Sequence, residues 1–317
     1  MGNLVILGGS GDVGSRLVRL LSDHQEWKVW AVSRRSRAVE TTLKNVVYSG
    51  LARSETVLDT SATPRYVDAL IRAAAGTNGC LVTGVGMAPG LSTLMAADLA
   101  SNERVETLRI GLELGMGRHY GQAAAEWFFR ALGLPYDDPF TGRSVVPGEK
   151  PWRFNFTRNE APRLALDVAF PDEGIRPSGG EVRVHHYLAV DPPFVTRLFA
   201  VAQRLGLGRW MSEHSRRLTK LSLRLPQFGQ LRTRVTAVAF DREGQEIASK
   251  LFEGGDQADL TAAMIMVTLE AMRSGDARQA GANSIVDHLD LEQALSGLRR
   301  HLAGIGPMCM NTRPKPN

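Results

Sequence analysis

The chain has 317 residues, of which 43% are hydrophobic and 22% are charged. This composition is typical of a globular soluble protein, and it excludes disordered, collagen-like and coiled-coil chains. The net charge of +5 and the isoelectric point near 9.5 permit anionic partners. Most of the basic residues are dispersed along the chain, so we expect no nucleic-acid partner.

Two cysteines, Cys80 and Cys309, are too few for a disulfide framework in a chain of this length. No positively charged segment precedes the first apolar run, which argues against a secretory signal peptide. The longest uncharged stretch, Ala73 to Ala97, is interrupted by glycine and proline and predicts loop, strand and helix rather than a membrane span. We therefore expect a cytoplasmic protein.

A glycine-rich turn follows the first apolar run. Leu4 to Leu7 fits a buried parallel strand, and apolar residues recur at helical spacing after the turn. The turn has the spacing G-x-G-x-x-G, which lets the backbone approach a pyrophosphate at the start of the next helix. The predicted cofactor-binding residues of this turn are Gly8, Gly9, Ser10, Gly11, Asp12, Val13 and Gly14. The alternative is a glycine turn in an α/β domain that holds no nucleotide.

A second predicted strand, Lys28 to Val32, ends where an acidic residue usually binds the ribose hydroxyl of NAD. Ser33, Arg34 and Arg35 stand at this place instead. Two guanidinium groups without a carboxylate favour a 2′-phosphate. We therefore expect NADP as the cofactor, with NAD as the alternative.

A second glycine segment follows the predicted strand Cys80 to Thr83. A predicted helix, with Pro64 at its first position and Gly76 after its end, comes before that strand. The glycine segment leads into another helix, and ligands of open α/β sheets usually lie at such strand ends. Gly84 and Gly86 are therefore predicted cofactor contacts.

Four segments of the chain resemble the saccharopine dehydrogenase-like family of the saccharopine reductase type. They are Gly9–Gly14, Val57–Ser61, Gly84–Ser92 and Phe252–Ala262. The resemblance implies a Rossmann domain joined to an α+β domain that shapes the substrate pocket and often forms a dimer. It also implies nicotinamide-dependent oxidoreduction, commonly of a carbon–nitrogen bond in an amino-acid-like substrate, although some relatives reduce other bonds. It supplies no short catalytic signature that transfers to this chain.

The segment between Ser33 and Thr56 is shorter than this family normally has. A third strand with two crossover connections needs about two dozen connecting residues besides the strand itself. Asn45 to Gly50 is either a central strand reached by a minimal crossover or an edge strand that turns back. The sheet is trimmed in both cases, so weak binding of a dinucleotide, or a lost activity, stays open.

The predicted fold class is α/β, with a Rossmann-type parallel sheet trimmed between the second strand and Val57, and a second α+β domain of mostly antiparallel strands. The predicted divisions are a dinucleotide-binding domain 1–104, an α+β substrate and dimerisation domain 105–286, and a tail 305–317, with helix 287–304 as a candidate to complete the first domain. In the second domain, apolar residues alternate with polar ones, as in Leu108 and Ile110 around Arg109, which predicts half-buried antiparallel strands.

The predicted catalytic residues are Arg118, His119 and Tyr120, on a glycine-flanked loop between a strand and a helix. Hydride transfer to an imine or carbonyl needs orientation, a proton donor and an anion clamp. His119 or Tyr120 is suited to donate the proton, and Arg118 to hold a carboxylate. The alternative is that these side chains cap the helix or face water.

Other polar residues suit structural roles better. Asp59 is expected in a turn or helix cap, and His186, on an apolar strand face, is expected to be a core histidine. His185, beside Tyr187, ranks second as a catalytic candidate. No group of residues has the spacing of a zinc or calcium site, so no metal is predicted.

A basic, amphipathic run lies between Arg197 and Arg224, and Glu213 is its one acidic residue. We expect a solvated face rather than a membrane-binding surface. Two functions therefore stand: an NADP-dependent oxidoreductase acting on a small molecule as a homodimer, and a Rossmann-like binding or assembly protein with a degenerate cofactor site that uses this basic run.

Overall fold

A computed structural model describes residues 2–7, 11–22, 27–32, 55–117, 121–138, 141–171, 175, 182–227, 229–274, 280–303 and 309–312. Its helices are, in chain order, α1 (Asp12–Leu21), α2 (Pro64–Ala74), α3 (Ser92–Ala100), α4 (Gln122–Ala131), α5 (Pro193–Arg204), α6 (Gly208–Glu213), α7 (Ser215–Ser222), α8 (Gln257–Ser274) and α9 (Leu291–His301).

The strands, again in chain order, are β1 (Gly2–Leu7), β2 (Trp27–Val32), β3 (Thr56–Leu58), β4 (Cys80–Thr83), β5 (Thr107–Gly115), β6 (Tyr136–Asp137), β7 (Ser144–Val145), β8 (Trp152–Phe154), β9 (Arg163–Val168), β10 (Arg183–Asp191), β11 (Thr233–Phe240), β12 (Glu246–Gly254), β13 (Gly281–Ser284) and β14 (Cys309–Thr312). Helices and strands form two compact units.

The first unit consists of Met1–Leu94, Pro171–Ile175 and Ala258–Gly304. Its strands pair in parallel: β1 with β2, and β4 with β3 on one side and β13 on the other. Parallel pairing with helices between the strands is the arrangement of a Rossmann-type fold, as the sequence predicted. The α/β fold class is confirmed.

Helix α1 follows the first glycine turn, and helix α2 begins and ends where the sequence predicts. Leu17 and Leu21 are spaced four residues apart and are buried in a core that includes Ile6 of β1 and Val82 of β4. Pro64 occupies the first turn of α2, and Gly76 follows its end with a φ of 74°. Proline in the first turn of a helix and a left-handed glycine after its end are the usual start and stop signals.

The second unit consists of Met95–Phe170, Arg176–Gln257 and Ile305–Asn317. Its main sheet has the strand order β14-β12-β11-β5-β10-β9-β8. The pairing is antiparallel except between β5 and β10, which are parallel. The predicted α+β unit of mostly antiparallel strands is therefore confirmed, with one parallel pair in its centre.

The expectation of half-buried strands is wrong for β5. Leu108 and Ile110 are buried, and so is Glu113 on the opposite face, where it is 1% exposed. Glu113 forms ion pairs with Arg163 at 3.0 Å and Arg234 at 3.4 Å, so its charge is compensated without water. Alternation in the sequence reports which residues share a face, but not what covers that face.

The compact units divide the chain differently from the predicted domains. The second unit begins at Met95 rather than at residue 105, and Pro171–Ile175 belongs to the first unit. Ala258–Gly304 also belongs to the first unit, where β13 pairs in parallel with β4, whereas the sequence predicts residues up to 286 in the second domain. The expected tail from 305 onward contains β14, whose backbone pairs with β12, so Cys309–Thr312 is an edge strand rather than a frayed end.

Within the described ranges, no helix combines the length and the apolar composition that a bilayer span needs. The uncharged stretch from Ala73 to Ala97 instead forms the end of α2, strand β4, a turn and the start of α3.

Candidate functional site

The start of α1 carries the described part of the first glycine segment. Gly11 is the N-cap residue, and no side chain caps the helix there. The Ser15 N–H donates to the Gly11 carbonyl at 2.9 Å, so regular helical bonding begins at that residue. The first amides of a helix have no carbonyl partner within it and carry part of the positive end of its dipole. They are suited to an anion.

Arg16 connects the first turn of α1 to the first turn of α8. Its side chain is 6% exposed, and Nη2 lies 2.9 Å from the Asp12 carboxylate. Nη1 lies 2.5 Å from the carboxylate of Asp259 in α8. The guanidinium therefore offsets the charge of Asp12 beside the helix start.

The second glycine segment is a buried turn between β4 and α3. Gly84 and Gly90 have φ angles of 69° and 139°, which favour glycine. A Cβ on Gly90 would lie 2.7 Å from the Gly84 carbonyl oxygen, and one on Gly86 would lie 3.0 Å from the Pro89 carbonyl oxygen. The turn's own backbone thus accounts for these glycines, and contact of Gly84 and Gly86 with a cofactor stays a prediction.

The first turns of α8 contact the second glycine segment and α1 just after the first one. Asp259 pairs with Arg16 of α1, and the Met87 N–H, in the second segment, donates to Thr261 Oγ1 at 3.4 Å. Gly86 faces the same threonine, since its Cβ would lie 3.5 Å from Thr261 Cγ2. Sequence reasoning missed Arg16, Asp259 and Thr261. The signal was the family-like stretch Phe252–Ala262, which contains two of them.

The described residues fit a dinucleotide at the carboxyl ends of the parallel strands. Gly11 is exposed at the start of α1, and Arg16 pairs with the neighbouring Asp12 as well as with Asp259. Both glycine segments follow the carboxyl end of a parallel strand, the edge at which such sheets bind ligands.

The remaining predicted cofactor residues and all predicted catalytic residues lie outside the described ranges. They are Gly8, Gly9, Ser10, Ser33, Arg34, Arg35, Arg118, His119 and Tyr120. The flanks of the catalytic candidates are described: β5 ends at Gly115, and α4 begins at Gln122. The expected strand-to-helix position of that loop is confirmed, and the roles of its residues stay predictions.

His185, the second-ranked candidate, belongs to a buried polar network in the second unit. Its Nε2 lies 3.1 Å from Oδ1 of Asp138, a carboxylate with no exposed surface. Asp138 also accepts hydrogen bonds from Thr141 and from Lys150. Burial lowers the pKa of His185 to about 4, although Asp138 opposes that change. His185 is therefore uncharged at neutral pH.

Two other polar residues have the structural roles that the sequence indicates. Asp59 accepts hydrogen bonds from the backbone N–H and the hydroxyl of Ser61, at 3.0 and 2.9 Å, which makes it a turn residue. Burial raises the pKa of Asp59. His186 is 9% exposed and stacks on Phe170 with ring centroids 5.3 Å apart, as a core histidine does.

The basic run forms α5, α6 and α7. Its cationic side chains are exposed, and so are several apolar ones: Phe194, Leu198, Val201, Leu205, Trp210 and Leu221. The run therefore exposes both charged and apolar side chains, and the expectation of a solvated face stays a prediction.

No protein-family model matches the sequence, and no curated protein matches it. Among solved structures, apo saccharopine dehydrogenase (L-Glu forming) from Saccharomyces cerevisiae matches with a TM-score of 0.58 and 12% sequence identity. The match covers 98% of this chain and 100% of that one. The chain has the saccharopine dehydrogenase fold. At this identity the likeness establishes the fold and leaves the activity to other arguments.

Two further solved structures match less well. An engineered D-amino acid dehydrogenase has a TM-score of 0.44 at 11% identity, with 91% of this chain and 94% of that chain covered. C. glutamicum DAP dehydrogenase in complex with DAP has a TM-score of 0.37 at 10% identity, with 90% and 93% covered. These scores are too low to support a conclusion about this chain.

Proposed function

We propose that the protein is an NADP-dependent oxidoreductase acting on a C=N or C=O bond, or its reduced form, in a small amino-acid-like or carboxylate substrate. The observation that carries the proposal is that α8 contacts both helix starts, α1 through Asp259 to Arg16 and the second glycine segment through Thr261 to Met87. The saccharopine dehydrogenase fold supports the same reading. When bound, the nicotinamide would supply or accept a hydride.

The chain's own residues would bind and orient the cofactor. The diphosphate would lie against the glycine turn Gly8–Gly14 and bind the first backbone amides of α1. Glycine is needed there because a side chain would block the approach of the diphosphate to the backbone. Arg16 offsets the Asp12 charge that would otherwise repel the diphosphate. Arg34 and Arg35 would hold the 2′-phosphate, and Gly84 and Gly86 would line the strand-end crevice.

The substrate would be held and protonated from the loop between β5 and α4. Arg118 would bind a substrate carboxylate through two parallel hydrogen bonds. His119 or Tyr120 would donate the proton when the hydride is delivered, or accept it in the reverse direction. A binding or assembly role without a nucleotide is the competing function, and the fold likeness does not favour it.

Binding of NADPH and NADH to the full chain tests the proposal. We expect NADPH to bind more tightly than NADH, measured by the cofactor's fluorescence. Gly11→Asp should weaken NADPH binding by about tenfold or more, because a carboxylate at the helix start repels the diphosphate. Arg34→Asp should shift the preference towards NADH. The control is Gly244→Asp, in an open hairpin turn where a Cβ meets no atom within 4 Å.

Two results would contradict the proposal. One is unperturbed NADPH fluorescence at high protein concentration. The other is equal NADPH binding by the Gly11→Asp variant, the Gly244→Asp control and the unchanged chain. A panel of amino acids and 2-oxo acids, followed by the absorbance of NADPH, would then identify the substrate class if binding is found.

A further inference from the structure

A cavity of about 250 Å³ lies within the second unit. It is lined by Arg109, Lys150, Pro151, Trp152, His185 and Tyr187. Arg109 on β5 and His185 on β10 are register partners in the parallel strand pair, so their side chains leave the same face of the sheet. The cavity therefore rests on the rigid centre of the sheet.

Arg109 is the uncompensated charge of this cavity. Its Cζ lies 3.5 Å from the centroid of the Trp152 ring and 4.9 Å from that of Phe240. Its Nε is buried without a hydrogen-bond partner, and no carboxylate of the described ranges forms an ion pair with it. Burial lowers the pKa of Arg109. A half-buried guanidinium that lies over aromatic rings and has no ion pair is suited to bind an anion.

The titratable groups in and beside the cavity include two buried carboxylates, Asp138 and Asp167, and Asp167 faces Tyr187 from the neighbouring strand. The Lys150 ammonium pairs with the buried Asp138 carboxylate, so these two charges offset each other. His185 is uncharged at neutral pH, and burial raises the pKa of Tyr187 to about 12, so its hydroxyl stays protonated. Arg109 is therefore the cation of the cavity that lacks an ion pair with a described carboxylate, and it is the group that an anionic ligand would meet.

We propose that this cavity binds a small organic carboxylate with an apolar or aromatic body. Arg109 is the charged partner. Its guanidinium centre is stacked over Trp152, which leaves the N–H edge of the planar group for a carboxylate. The Tyr187 hydroxyl, on the neighbouring strand, is a second donor, and the rings of Trp152 and Tyr187 contact the body of the ligand. No nucleotide takes part, so this inference stands apart from the proposed oxidoreductase function.

Calorimetric titration of the full chain with sodium benzoate, without nucleotide, tests the inference. The neutral isostere benzamide is the comparison ligand. We expect benzoate to bind and benzamide to bind at least about tenfold more weakly, because only the carboxylate offsets the Arg109 charge. Arg109→Gln should weaken benzoate binding by a similar factor. Arg153→Gln is the matched control, since it removes an exposed guanidinium next to Trp152 that does not line the cavity.

The inference is overturned if benzoate does not bind at millimolar concentration, if benzamide binds equally well, or if the two arginine variants behave alike. Thermal unfolding checks the variants, and Arg109→Gln should lower the unfolding midpoint only modestly, because it loses the contacts with the Trp152 and Phe240 rings but no ion pair with a described carboxylate. If the Arg109→Gln variant is unfolded at the temperature of the titration, the Arg109→Lys variant replaces it. Lysine keeps the positive charge but lacks the planar guanidinium, so this variant should still bind benzoate more weakly than the unchanged chain. Failure of NADPH binding would leave this result untouched.

Discussion

At the scale of single residues, charge compensation decides which polar groups of this protein are buried. Arg234 is 3% exposed, and it forms ion pairs with Glu160 at 2.8 Å, with Glu253 at 2.5 Å and with Glu113 at 3.4 Å. The sequence placed Glu113 opposite an apolar strand face and so suggested solvent. The compensating partners come from strands far away in the sequence, which periodicity cannot reveal.

Removing Arg234 should cost the protein much of its stability. We expect Arg234→Gln to lower the free energy of unfolding by about 3 kcal/mol, because it leaves the buried carboxylate of Glu113 with less compensation. Arg242→Gln, in the exposed turn between β11 and β12, should change it by less than about 0.5 kcal/mol. Urea unfolding measures both. Equal effects of the two substitutions would show that the ion cluster contributes no specific stability.

At the scale of elements, the sequence predicts an element well where local signals agree. Helix α2 has a proline start, an apolar stripe and a glycine end, and the hairpin between β11 and β12 turns at Gly244 with a φ of 75°. The sequence analysis missed strand β14 because no local pattern in Cys309–Thr312 indicates a strand. This segment is a strand because its backbone pairs with the edge of β12. The glycines of the turn before α3 were found, but their structural reason, close contact within the turn, was not visible.

The turn before α3 should tolerate no side chain at Gly90. We expect Gly90→Ala to lower the free energy of unfolding by about 2 kcal/mol or more, since φ is 139° and the new Cβ would meet the Gly84 carbonyl oxygen at 2.7 Å. Gly76→Ala is the control: its φ is 74°, and a Cβ there meets nothing within 4 Å, so about 1 kcal/mol is expected. The measurement is again urea unfolding. Similar losses in both variants would mean that the contact with Gly84 is easily relieved.

At the scale of the whole molecule, each compact unit is assembled from separate stretches of sequence. The first unit takes in Ala258–Gly304, which returns α8, β13 and α9 to the strands of the first hundred residues. A domain prediction made from sequence order alone assigns each domain one continuous stretch. It therefore misses a late segment that belongs to the first unit. The expected homodimer, the NADP preference and the cytoplasmic location stay predictions.

The free energy of unfolding of the whole protein should fall as the pH is lowered. Glu160 contributes to this loss over a defined range of pH. Hydrogen bonding from Arg234 lowers the pKa of Glu160 from 4.5 to about 2. The unfolded chain therefore takes up a proton near pH 4.5 while the folded chain resists until about pH 2, so stability present above pH 4.5 is lost across that window. Glu160→Gln should make the loss between these pH values smaller.

Thermal unfolding midpoints between pH 2 and pH 7 measure this effect. Glu243→Gln, in the exposed turn between β11 and β12, is the matched control and should keep the acid sensitivity of the unchanged chain. Identical acid profiles of the Glu160→Gln variant and this control would contradict the assignment. The window is bounded by the pKa values cited for Glu160.

The amino-acid sequence by itself determined the Rossmann-type start, the α/β fold class and the two glycine segments, because strand, turn and helix signals are local and agree there. Only the tertiary structure decided that α8 joins Arg16 to the second glycine segment and that β14 pairs with the edge of β12. It also decided that Arg109 lies in a cavity and forms no ion pair with a described carboxylate. These features depend on contacts between residues that are distant in sequence. Such contacts follow from packing and charge compensation, which leave no periodic pattern in the chain.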